Sequence, residues 1–128
     1  MTPKQRDHIL SVIDKDANGH GWLALMRDGE PEVCILGGLA MEAGFTFEQL
    51  AGKTMLRTVR SKVDGETVTQ RLRSMFGLTG LNRQQLIGSN DSDGWRPLSL
   101  EDLAQWKVGV HERRRARLRE VVNGWPVS

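Results

Sequence analysis

The chain is poor in the residues that announce chemistry. It has one cysteine, Cys34, no tyrosine, and only three histidines, His8, His20 and His111, far apart along 128 residues. A single thiol excludes an internal disulfide, and one Cys with dispersed His offers no zinc-ligand set. No run approaches the ~20 apolar residues of a membrane span, and the opening Met1-Thr2-Pro3-Lys4-Gln5-Arg6-Asp7 carries no apolar leader. A cytoplasmic protein without membrane contact is therefore expected. Nothing matches a phosphate-binding glycine loop or a paired-carboxylate site. No catalytic residue, metal or cofactor is assigned.

What is present is enough for one compact domain. Hydrophobic residues make up 38% of the chain and aromatics 5%, four of them Trp. A core of Leu, Val, Ile and Met with Trp anchors is expected. Pro3 to Asp16 reads as a helix burying Ile9, Val12 and Ile13. Trp22 to Ile35 reads as a hairpin around Asp28-Gly29, its loop lengthened by Glu30-Pro31. Cys34 to Ala43 reads as a helix stopped by Gly44, in which Gly37 and Gly38 imply close approach of another backbone. Thr46 caps a short helix, and Thr67–Phe76 and Asn82–Ile87 give two more. Residues 53–65 stay ambiguous between helix and hairpin. Ser99 opens a last helix whose apolar face is Leu100, Leu103, Trp106 and Val110, whereas residues 111–117 read as solvated. The fold class is mainly α with a small β-hairpin (α+β), a compact single-domain helical bundle. Residues 1–110 form its body and 111–128 a basic helical extension of the same domain. Trp22, Cys34, Leu36, Leu39 and Trp106 are expected in the core.

Several short motifs recur in one order: Gly21-Trp22, Cys34-Ile35-Leu36-Gly37-Gly38-Leu39 with Ala43-Gly44, Phe76-Gly77-Leu78, and Asn90-Asp91 before a Leu-rich helix. Over roughly residues 9–106 this pattern resembles an uncharacterised family, a domain of unknown function, of small bacterial and phage proteins. Relatives carry Ala where Gly38 stands, and the arginine-rich extension is not part of the pattern. The resemblance implies a fold type and a bacterial or phage setting, not a mechanism.

Four features carry candidate chemistry. The densest is His111 to Glu120, which contains Arg113, Arg114, Arg115, Arg117 and Arg119 although the net charge is only +2. Such a cluster neutralises phosphates or pairs with carboxylates of a protein partner, and otherwise forms a solvated helix end. The second is a helix-turn-helix reading of residues 67–87, with Arg83 and Gln84 on the recognition face Asn82–Gln85. The third is Cys34, whose place at a helix start favours a thiolate, with His20 or His111 and Asn90 as partners. Its plain alternative is a small buried residue. The fourth is calcium: Asp14, Asp16, Asn18 and Gly19 match the front of an EF-hand loop, but Leu25 stands where a bidentate Glu is needed. Ser89 to Gly94 is a second half-match. The residues together point to a non-enzymatic binding or regulatory module, a phage or mobile-element accessory, contacting protein or nucleic acid through Arg113, Arg114, Arg115, Arg117 and Arg119. The alternatives are a helix-turn-helix-like DNA-binding regulator and a cysteine-dependent enzyme. An acidic front half and a basic end also allow head-to-tail pairing in a homodimer.

Overall fold

The computed structural model describes residues 1–16, 22–91 and 97–128, with only the backbone at Asp16. The described elements are α1 (Pro3–Asp16), β1 (Ala24–Arg27), β2 (Glu30–Val33), α2 (Ile35–Glu42), α3 (Phe47–Leu50), a 3-10 turn (Leu56–Thr58), α4 (Val68–Phe76), α5 (Gly80–Asn90) and α6 (Leu100–Asn123). The chain is mainly helical with one two-stranded antiparallel sheet, the expected fold class.

Local chemistry sets most boundaries. Thr46, Thr67 and Thr79 each close a capping box with Gln49, Gln70 and Asn82, which satisfies helix-start amides reciprocally. The hairpin is tighter than expected: Arg27 pairs with Glu30, and Pro31 lies inside β2 opposite Met26. Asp28 and Gly29 both take positive φ, 53° and 80°, so a two-residue turn suffices. Residues 53–65 are neither helix nor hairpin proper. They hold the 3-10 turn and an isolated antiparallel bridge from Arg60 to Thr67.

The core lies where α1, α2 and α4 meet, closed by α5 and α6. Helix α1 packs on α2, α4 and α6, and α5 packs on α2 and α6. Ile9, Ile13, Ile35, Leu39, Leu72, Phe76 and Leu118 are fully buried. Helix α2 is apolar nearly all round, which fits its place at the centre. Gly37 permits this: a Cβ there would stand 1.9 Å from the Leu23 carbonyl oxygen. The expected close backbone approach is thus the entry to β1 crossing the start of α2.

Two expected anchors lie elsewhere. Cys34, Leu36 and Leu39 are buried, but Trp22 is 40% exposed. It precedes β1, beyond the point where Leu23 turns into the core. Trp106 is only half-buried because it belongs to the part of α6 before a break. That break falls at Val108 (ψ 112°) and Gly109 (φ 82°), where the backbone leaves helical geometry. Among the described residues the large buried rings are instead Phe45, Phe76 and Trp125.

Candidate functional site

The arginine-rich stretch is not a solvated face. Arg114 is 1% exposed, among the largest fully buried side chains of the molecule. Its Nε donates to the Asn90 carbonyl at 3.1 Å, and a terminal nitrogen lies 3.4 Å from His111 Nδ1. Arg117, one turn on, donates from Nε to the Ser89 carbonyl at 3.1 Å. These are carbonyls of the last turn of α5, which have no acceptor role within their own helix. Two guanidinium groups there satisfy them and oppose the negative end of the helix dipole. Arg119 donates to Asp14 at 2.8 Å and ties α6 to the end of α1. The expectation that residues 111–117 are solvated is corrected: helix spacing turns Arg114 and Arg117 inward beside Val110, Leu118 and Val122. Arg113 is exposed with its guanidinium near Gly109, and Arg115 is half-buried with an Nε that meets no acceptor among the described residues.

The same joint explains Cys34 and Asn90. Cys34 is the N-cap of α2, and its Sγ accepts from the Gly37 amide at 3.3 Å. Asn90 is 1% exposed; its Oδ1 accepts from the Ile35 amide at 3.1 Å, and its Nδ2 donates to Asp91 at 2.9 Å. One buried amide therefore couples the start of α2, the end of α5 and, through its own carbonyl, Arg114 on α6. The sequence grouping of Cys34, Asn90 and His111 is thus brought to one region. The thiol, however, is not activated. Burial pushes the Cys34 pKa from 9.0 up to about 11, against the opposing hydrogen bonds from Gly37 and Leu36. At neutral pH the group is a thiol, so of the two readings the small buried residue holds and the thiolate does not: desolvation outweighs the helix amides. His20 lies outside the described residues.

Of the helix-turn-helix face, the capping box occupies Asn82, and Gln85 accepts from Trp125 Nε1 at 2.7 Å. Helices α4 and α5 exist with the expected turn, Gly77 at φ 69°. Helix α4 packs on α1 and α2, and α5 packs on α6 and α2. Gln84 is exposed and Arg83 half-buried. Both calcium half-matches run into residues outside the described ones, and the Asp14 carboxylate accepts from Arg119. Among the described residues no group of three His, Cys, Asp or Glu side chains stands ready for a metal.

The arrangement that sequence did not bring together is a groove of about 300 Å³. Backbone pairing builds it: Leu23 donates to Lys53 at 2.8 Å and Gly52 to Ala24 at 2.9 Å. This lays the 53–57 stretch beside Trp22, and α5 forms the opposite wall. Trp22, Met55, Leu56 and Ile87 line it, with Arg57 and Arg83 alongside; Cys34, Leu36 and one carboxylate, Asp91, which accepts from Asn90 Nδ2, also border it. Trp22, Met55 and Ile87 are 40%, 44% and 46% exposed. Among the described residues neither Arg57 nor Arg83 forms an ion pair with a carboxylate. Among the described residues no helix is long and apolar enough to cross a membrane. Comparison of the chain with family models, with curated proteins and with solved structures finds no match.

Proposed function

We propose that the protein is a non-enzymatic binding module that takes an acidic, apolar segment of a protein partner in the groove of Trp22, Met55, Leu56 and Ile87. The observation that carries this reading is the convergence of three half-exposed large apolar side chains with two arginines that pair with no carboxylate among the described residues. Trp, Met and Arg are the residue types enriched at the centre of protein interfaces, where an aromatic anchor and a desolvated guanidinium supply most of the energy. The reading relocates the binding surface from the arginine helix, three of whose guanidinium groups hold the fold together. A protein is favoured over nucleic acid because the net charge is only +2 and the freest arginines of that helix, Arg113 and Arg115, are too few for a phosphate track. The bacterial or phage setting implied by the sequence resemblance suits a small accessory binder of this kind.

The test is fluorescence anisotropy with labelled acidic amphipathic peptides, their neutral and basic counterparts, and mixed-sequence DNA and RNA, across a salt series. Binding of the acidic peptides is expected, with loss of at least tenfold in affinity for Met55→Asp or Arg83→Glu and no change for Arg113→Ala with Arg115→Ala. Tight DNA or RNA binding that falls steeply with salt and depends on Arg113 and Arg115 would replace this reading with a nucleic-acid one.

A further inference from the structure

The segment that opens α6 has the chemistry the groove is missing. Leu98 is fully exposed and Leu100 is 85% exposed, two large apolar side chains that bury almost nothing in the monomer. They flank Ser99, the N-cap of α6, and are followed at once by Glu101 and Asp102 in the first helical turn. Neither carboxylate meets a cation among the described residues. The groove offers the complement: exposed Trp22, Met55 and Ile87 beside Arg57 and Arg83, which pair with no carboxylate among the described residues, while the bordering Asp91 accepts from Asn90. The break at Val108 and Gly109 sets this arm apart from the anchored remainder of α6.

We infer that the groove of one molecule receives the Leu98–Asp102 segment of a second copy of this chain. The inference rests on the groove being a binding site for acidic, apolar segments. Every molecule carries both arm and groove, so a reciprocal pair satisfies both at once and closes on itself as a two-fold dimer. Leu98 and Leu100 meet the Trp22, Met55 and Ile87 wall, and Glu101 and Asp102 pair with Arg57 and Arg83. Opposite charges at the edge fix the register, while the apolar contact supplies affinity.

Sedimentation equilibrium of the full chain from 1 to 200 μM in low salt tests it, with about 1 and 200 μM chosen to bracket a dimer of moderate affinity. The expected mass rises from 14.4 kDa toward twice that value. Leu100→Glu and Arg83→Glu are each expected to shift the midpoint at least tenfold toward monomer. Mixing Arg83→Glu with the double variant Glu101→Arg, Asp102→Arg is expected to restore association between the two. Circular dichroism confirms that each variant is folded, and Leu100, being exposed, tolerates the change. A wild-type chain that stays monomeric at 200 μM, or a dimer indifferent to both single variants, overturns the inference. If acidic peptides still bind the groove in that case, the binding function stands and only its occupant is wrong. If they do not bind either, both readings fall together.

Discussion

Helix α6 is two different objects joined at Gly109. After the break, Val110, Arg114, Leu118 and Val122 are buried, and arginines bind the ends of α5 and α1. Before it, Leu100 and Val108 stand 85% and 76% exposed, and Leu103 and Trp106 are half-buried. The leucine-bearing half faces solvent, while the arginine-bearing half is structural. The contrast teaches that side-chain polarity did not decide which half docks. The decision came from unsatisfied carbonyls at the end of α5, which only long cationic donors reach. A buried arginine whose head donates to such a carbonyl, as Arg114 does to Asn90, is as much a packing residue as a leucine.

The sharpest way to break this contrast is to exchange its best representatives. Arg114→Met is expected to lower stability by about 3 kcal/mol, since it leaves the Asn90 carbonyl buried without its donor. At a concentration where the chain is monomeric, Leu100→Gln is expected to change stability by less than about 0.5 kcal/mol. Urea denaturation of the two variants measures both, and similar losses would dissolve the distinction.

The buried thiol reads the same joint from the α2 side. Its folded pKa lies above its unfolded one, so the fold favours the protonated form. The resulting stability is complete below pH 9 and is lost as pH rises from 9.0 to about 11. Wild type is expected to lose up to about 2 kcal/mol more than Cys34→Ala across that window. In the same vein, iodoacetamide at neutral pH is expected to label the native protein far more slowly than the unfolded one. Rapid native labelling would mean an open joint and would revive Cys34 as a nucleophile.

The smallest expected effect tests the break itself. Gly109 sits at φ 82°, so Gly109→Ala is expected to cost about 1 kcal/mol. The added Cβ would approach only the flexible end of Arg113. A gain in stability, with more helix by circular dichroism, would show that the two halves prefer to be one straight helix.

Much of the architecture was legible because its signals are local. Thr46, Asp28-Gly29, Gly44 and Ser99 each act within a few residues, and the crowding at Gly37 could be anticipated from the improbability of glycine inside a helix. The inward turn of Arg114 was not legible, because its partner carbonyl is 24 residues away and becomes a partner only once α5 runs on to Asn90. The groove was hidden for the same reason. Trp22 and Met55 are brought together by the pairing of Leu23 with Lys53, in the stretch whose sequence allowed both helix and hairpin, and Ile87 comes from α5. Composition placed Trp22 in the core; its position one residue before the crossing at Leu23 left it outside.

The contact between α1 and α6, fastened by Asp14 and Arg119 across 105 positions, also sets an order of events during synthesis. At about 5–20 residues per second, α1 leaves the ribosome on the order of 10 s before Leu118 and Trp125 arrive to cover its second face. In that interval α2 and α4 are the only described helices that shield Ile9, Val12 and Ile13. The apolar α2, emerging soon after the hairpin, therefore guards the nascent chain before it organises the finished core.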